Sequence, residues 1–174
     1  MPEKFKQALK DTVMNFRLPK YNEIPNVGLY LEQTAKYISD IGHVGQIQVT
    51  GSMISNYVKK GLISNPVKKQ YSREQIAYLI FITMAKSVLS MEDIKLLIEI
   101  QQKTYEPEVA YTYLAEEFEN VLGYVFGLKD QMETIGKNNH EAKVMLRNLI
   151  ITIAHKAYLE MCFKYYRDEK NTEE

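Results

Sequence analysis

An uncharged run of 11 residues, Gln75–Ala85, limits the folds open to this chain. Ser72 and Gln75 form an S-x-x-Q capping-box pattern, which predicts that a helix begins just before the run. The helix would carry apolar side chains nearly all round, and such helices are buried on most sides. It is too short to cross a membrane, which takes about 18 residues. We therefore predict an all-α protein with this helix in its interior.

Hydrophobic periodicity and end signals predict the other helices. An N-terminal helix precedes a break at Pro19 and Pro25, which disfavour helix at the residues before them. Thr50 is a good N-cap and Gly61 a good terminating residue for a short helix between them. The further predicted helices cover about 29–41, a stretch capped by Ser90, 107–133 and 139–168.

Composition favours an ordinary globular chain. The 174 residues are 45% apolar and 25% charged, and the N-terminus is charged and lacks the apolar core of a signal peptide. Cys162 is the single cysteine, which excludes an intrachain disulfide. We expect a cytoplasmic protein with no membrane partner.

Charge is distributed unevenly although the net charge is zero. Residues 41–73 contain five basic and no acidic residues, whereas residues 104–174 contain eight basic and 13 acidic ones. Such asymmetry favours an anionic partner that meets the basic segment. A solvated basic loop is the alternative interpretation.

The short helix after Thr50 has two different faces. Met53, Ile54, Tyr57 and Val58 fall on an apolar face, and the opposite face presents Ser52, Ser55, Asn56 and Lys59. Small residues allow close approach to the major groove, an amide can pair with adenine, and lysines reach guanine or phosphate. The alternative is a surface helix with a polar outer face.

A basic turn follows this helix at once. Leu62 and Ile63 can anchor its start, Pro66 stiffens it, and Lys68 and Lys69 project from it. A recognition helix followed by a basic loop is a winged helix-turn-helix arrangement. We predict that Lys60, Lys68, Lys69 and Arg73 contact phosphates.

The string "YVKKGLISNPVKKQYSREQIAYLIFITMAKSVLSMEDIKLLI" resembles the N-terminal DNA-binding region of MerR-type regulators. The residues that match are Tyr57, Gly61, Leu62, Ile63, Pro66, Tyr71, Ile76, Leu79, Ile82, Leu89, Ser90, Ile94 and Leu97. With "LPKYNEIPNVGLYLEQTAKYI" and "TGSMISNYVKKGLI", residues 17–103 also resemble a bacterial family of unknown function with a MerR-like head. Asn56 stands where MerR-type recognition helices usually carry arginine.

The resemblance implies DNA binding by fold, with two half-sites read by a homodimer. We expect an N-terminal helix or arm at 1–16, a MerR-like winged helix-turn-helix head with a minimal β wing at 17–104, and a long-helix region at 105–174. The predicted function is a sequence-specific transcriptional regulator that binds double-stranded DNA. Thr50 caps the recognition helix, and Ser52, Ser55, Asn56 and Lys59 face bases. The alternative is a helical protein–protein interaction module whose head no longer binds DNA.

No enzymatic pattern is present in the sequence. His43, His140 and His155 are far apart and lack metal-ligand spacing, so we predict no catalytic residue, no metal and no cofactor. His155 is interpreted as a core histidine, Cys162 as buried packing, and Glu116, Glu117 and Glu119 as a solvated helix face. The aromatic residues of the last two helices predict an internal core or a homodimer seam, and a small-molecule effector pocket is the alternative.

Overall fold

A computed structural model describes residues 2–14, 16–42, 44, 49–136 and 139–172. The helices of these ranges are α1 (Glu3–Met14), α2 (Leu31–Asp40), α3 (Gly51–Lys59), α4 (Arg73–Ala85), α5 (Met91–Gln102), α6 (Pro107–Val125) and α7 (Glu141–Thr172). Strands β1 (Leu29–Tyr30) and β2 (Gln70–Tyr71) pair antiparallel, with Leu29 opposite Tyr71. The prediction of a mainly helical protein is confirmed.

Helix α4 lies in the interior, as its uncharged run Gln75–Ala85 predicts. Ten of its residues are buried, and Ile76, Leu79, Ile80 and Ile82 have no exposed surface. Because α4 packs against α2, α6 and α7, it joins the elements on either side of it in the chain. Among the described residues, no helix is long and apolar enough to span a membrane.

Side-chain caps fix the predicted helix starts. The hydroxyls of Thr50, Ser72 and Ser90 each accept a hydrogen bond from the backbone N–H three residues ahead. Ser72 and Gln75 form both bonds of the capping box. These hydrogen bonds satisfy N–H groups that the first turn of a helix leaves without intrahelical partners.

Helix α6 ends earlier than the predicted 107–133. Gly127 adopts a φ of +73°, and the N–H of Leu128 donates to the carbonyl of Gly123 at 2.8 Å. This left-handed glycine terminates the helix because L residues with a side chain disfavour that conformation. The prediction was wrong here because it followed apolar spacing past Gly127.

One buried apolar cluster extends from Phe5 to Cys162. Helix α1 packs against α6 and α7, where the rings of Phe5 and Tyr165 stack with centroids 4.0 Å apart. Phe16 meets Phe118 edge to face at 5.8 Å. The N-terminal helix therefore shares a core with the C-terminal helices.

Candidate nucleic-acid interface

Helix α3 exposes the face that its sequence predicts. Ile54 and Tyr57 are buried, and Met53 and Val58 are partly buried. The exposed side chains are the proposed contact residues Ser52, Ser55, Asn56, Lys59 and Lys60. Thr50 caps the helix by accepting from the N–H of Met53 at 3.3 Å, so its predicted capping role is confirmed.

Helix α2 packs against α3 and helps to hold its apolar face in the core. The two helices pack directly, and Ser39 Oγ of α2 holds Val49 by two hydrogen bonds, from its N–H and to its carbonyl oxygen. Leu62 and Ile63, which follow α3, are buried as the sequence predicts. These contacts hold the inner face of α3 in the core and leave its polar face to solvent.

Lys68 and Lys69 occupy the tip of a tight turn after α3. Their φ angles are +50° and +65°, and the N–H of Gln70 donates to the carbonyl of Val67 at 2.9 Å. Two consecutive positive φ angles are those of a type I′ hairpin turn, which favours Asn and Gly. Both lysines are exposed, so the turn presents two cations at the cost of backbone strain.

Gln75 attaches the loop before this turn to α4. Its Nε2 donates to the carbonyl of Ser64 at 2.9 Å and to that of Asn65 at 3.3 Å. Its Oε1 accepts from the N–H of Ser72 at 2.9 Å. One buried amide therefore caps α4 and positions the chain between α3 and the turn.

Arg73 has intramolecular partners for its guanidinium. Its Nε donates to the carbonyl of Ile24 at 2.9 Å, and an Nη donates to that of Asn22 at 3.3 Å. The group also lies 5.7 Å from the ring centroid of Tyr21. These contacts fix the segment before β1 against α4, and the predicted phosphate contact by Arg73 stays a prediction.

Two charged groups near α3 were missed by sequence reasoning. A methyl group at Gly61 would lie 3.6 Å from Lys95 Nζ, so this ammonium of α5 sits at the C-terminal end of α3. At the other end, a methyl group at Gly51 would collide with the Glu32 carboxylate of α2, so this carboxylate lies beside the first residue of α3. Only the folded chain brings these residues together, because each lies on another helix.

The C-terminal helices enclose an ion pair that the sequence did not predict. Arg147 Nε lies 2.9 Å from Glu117 Oε1, and the Glu117 side chain has no exposed surface. Burial raises the pKa of Glu117, and the charge of Arg147 opposes that shift. The expectation of a solvated Glu117 was wrong because this position of α6 faces α7, whereas Glu116 and Glu119 are exposed.

The predictions for the histidines and the cysteine have different outcomes. His155 is exposed on α7, so its interpretation as a core residue was wrong. His140 Nδ1 accepts from the N–H of Ala142 at 3.2 Å, and His43 lies outside the described residues. Cys162 is buried, as predicted. Within the described ranges, no group of three or more His, Cys, Asp and Glu residues is arranged to hold a metal.

Two cavities bear on the predicted effector. A space of about 170 Å³ between α5, α6 and α7 is lined by Gln101, Tyr113 and Lys143, among others. Burial raises the pKa of Tyr113 to about 12. A more open cleft of about 660 Å³ lies between α1 and α7. Neither cavity identifies a ligand, and the effector stays a prediction.

A family model described as a domain of unknown function (DUF1836) matches residues 19–116. The matched range includes α2 to α5, both strands and every residue proposed to contact DNA. No curated protein and no solved structure matches the chain.

Proposed function

This chain belongs to the DUF1836 family, a domain of unknown function, and we propose that it is a sequence-specific DNA-binding transcriptional regulator. In this proposal residues 17–104 form a MerR-like winged helix-turn-helix. Helix α3 is the recognition helix, and the turn carrying Lys68 and Lys69 is the wing. The protein acts as a homodimer on two half-sites.

The observation that carries the proposal is the outer face of α3. Every small polar residue and lysine predicted to face DNA is exposed, while the apolar face is packed inside. Residues 41–73 contain no acidic side chain. A surface with cations and small polar groups on a rigid helix suits the major groove.

Base and phosphate contacts fall to different residues. Asn56, Ser52, Ser55 and Lys59 face base edges from the helix. Lys60, Lys68 and Lys69 contact phosphates, because flexible ammonium groups act as point charges without sequence information. Arg73 is the fourth proposed phosphate contact, and the N–H groups of its guanidinium that do not donate to Ile24 and Asn22 would make it.

The test is selection of genomic fragments by the purified protein at near-physiological salt. The proposal expects one enriched motif whose half-sites repeat at about one helical turn. The protein with Asn56→Ala is compared with wild type, because this exposed amide is a proposed base contact. Equal recovery of all fragments by wild type and variant would contradict sequence-specific binding.

A second candidate is a helical protein–protein interaction module, and Glu32 favours it. Its carboxylate lies beside the N-terminus of α3, where the helix dipole favours its negative charge and where it would repel a phosphate. Glu32→Gln distinguishes the candidates. A DNA-binding head should gain affinity for all duplexes, whereas a head without DNA binding should show no change.

A further inference from the structure

A cavity of about 170 Å³ lies where α5, α6 and α7 meet. Its described lining includes the aromatic side chains of Tyr105 and Tyr113 and the aliphatic ones of Val109 and Ala110. We call it the Gln101 cavity, after the buried amide in its wall. An engineered apolar cavity of about 150 Å³ holds benzene, so a volume of this size suits one aromatic ring with a small substituent.

A smaller cavity adjoins the Gln101 cavity. It measures about 40 Å³, is lined by Phe81, Ile98 and Leu146 among others, and shares Gln101 and Ala110 with its larger neighbour. The side chains around both spaces are mainly aromatic and aliphatic, which is typical of sites for small molecules. A ligand of the Gln101 cavity should therefore be largely apolar.

Gln101 provides an acceptor without a partner. The residue is 7% exposed, and its Nε2 donates to the carbonyl oxygen of Ala142 at 2.5 Å. Its Oε1 is buried and has no hydrogen-bond partner among the residues that the structure describes. A carbonyl oxygen accepts only from the nitrogen of an amide, so the bond to Ala142 fixes Oε1 as the unpaired end. A buried acceptor of this kind is stabilised by any donor that reaches it.

Lys143 is the single charged residue in the described lining of the two cavities, and it has partners within the chain. Its Nζ donates to the carbonyl oxygen of Gly136 at 3.1 Å and lies 5.2 Å from the centroid of the Tyr113 ring. Both contacts stabilise the ammonium group without an anion. The unpaired group of the wall is thus an acceptor, which calls for a donor on the ligand and not for a negative charge.

We propose that the Gln101 cavity binds an uncharged, single-ring aromatic compound that carries one hydroxyl or N–H donor, as phenols and anilines do. The ring packs among Tyr105, Tyr113 and Ala110, and the donor bonds to Gln101 Oε1. A ring without a donor leaves this oxygen unpaired. Water satisfies the oxygen but gains nothing from the apolar walls.

The inference goes beyond the proposed function and does not depend on DNA binding. None of its residues belongs to α3 or to the turn that carries Lys68 and Lys69. The cavity is a site for the small-molecule effector that the sequence predicts. A protein that binds phenol but selects no DNA sequence would leave this site standing, and a DNA-selecting protein that does not bind phenol would overturn this inference alone.

Titration calorimetry of the full chain with phenol and toluene tests the donor. The two compounds have nearly the same size, and only phenol can donate to Gln101. Phenol should bind with a Kd of about 1 mM or less. Gln101→Met keeps the length of the side chain and removes the acceptor. It should weaken phenol binding by about tenfold and leave toluene binding unchanged. A folded variant that weakens both compounds alike would contradict the hydrogen bond.

A second pair of variants tests the location. Ala110→Leu adds bulk where the two cavities adjoin and should abolish the binding of both compounds. Thr112→Leu, at an exposed position of the same helix, is the matched control and should change neither Kd. Circular dichroism and urea unfolding identify the variants that fold as wild type does. Undiminished binding by folded Ala110→Leu would contradict the assigned site.

Nitrogen-15 spectra of the wild-type protein need no variant. Phenol should shift the side-chain amide signals of Gln101 and the backbone signals of residues 109–113. Shifts confined to the cleft between α1 and α7 would overturn the proposal, as would the absence of phenol binding up to about 10 mM. Tighter binding of benzoate than of phenol would show that Lys143 selects an anion and would contradict an uncharged ligand.

Discussion

At the scale of single residues, Lys68 and Lys69 have a strained backbone at the candidate interface, because both have positive φ angles. Residues with side chains pay about 1–2 kcal/mol for a left-handed conformation, and both lysines adopt it. The presence of two lysines in a turn that suits Asn and Gly is explained if their charges serve binding. The effects of strain and charge can be told apart. A variant that relieves the strain and removes both charges should raise the stability of the fold but lower its affinity for DNA.

We predict that Lys68→Asn with Lys69→Gly stabilises the fold by about 1–2 kcal/mol and weakens DNA binding. Four phosphate contacts per subunit give a dimer a slope of log affinity against log salt of about −7. The double variant should flatten it to about −3.6 on every sequence. Urea unfolding and a salt titration measure the two effects. Weaker folding, or an unchanged slope, would contradict the assignment.

The pair of Glu117 and Arg147 predicts a pH-dependent variant. Burial holds the pKa of Glu117 above its ordinary value of 4.5, so the stability of the protonated form is lost as pH rises through the folded pKa. Arg147 limits that loss. Arg147→Met should extend the loss to higher pH and leave a buried charge without its partner.

Relative to wild type, Arg147→Met should cost less at pH 4, below the pKa of Glu117, than at pH 8, where the buried carboxylate without its partner should cost about 3 kcal/mol. Urea unfolding of both proteins at the two pH values measures this. Arg147→Met with Glu117→Gln is the control and should lose the pH dependence of the deficit. An equal deficit at both pH values would mean that lost packing, not charge, is responsible.

The sequence predicts the burial of a residue well where that burial follows from the periodicity of a single helix. The outer and inner faces of α3 follow from its own periodicity, and so do the caps at Thr50 and Ser72. Glu117 and His155 were misplaced because their burial depends on which side of a long helix meets its neighbours. Spacing within one helix does not contain that information.

At the scale of elements, the side chain of Gln75 binds both the start of α4 and the loop before the turn. Ser72→Ala should remove one cap bond and cost about 1 kcal/mol. Gln75→Ala should cost more, about 2–3 kcal/mol, because it also leaves the carbonyls of Ser64 and Asn65 without their partner. Urea unfolding measures both. Equal losses would show that the loop contacts contribute nothing.

Element ends were predictable where a cap or a proline marks them, as at Ser90 and Pro107. Strand β1 was absorbed into the predicted helix 29–41, because two residues have no measurable periodicity. Its pairing with β2 joins residues about 40 positions apart, which only the tertiary fold decides. Gly127, which ends α6, could have been recognised as a helix terminator from the sequence, but the apolar spacing continues past it.

At the scale of the whole molecule, one core connects the candidate DNA-binding head to α1 and α7. Cys162 reports on this core from α7, where it is 7% exposed. We predict that a thiol reagent labels native Cys162 at least about 100-fold more slowly than Val27→Cys, at a position that is 82% exposed. Comparable rates without denaturant would contradict the packing of α7.

In the proposed complex with DNA, α3 reads the base sequence while the turn supplies affinity. The most direct measurement is the ratio of affinities for the selected duplex and a random duplex, in wild type, Asn56→Ala and Lys68→Asn/Lys69→Gly. Asn56→Ala should lose about 1–3 kcal/mol on the selected duplex and little on the random one, which lowers the ratio. The lysine variant should weaken both duplexes alike and keep the ratio. If Asn56→Ala weakened both duplexes equally, α3 would not be the element that reads DNA.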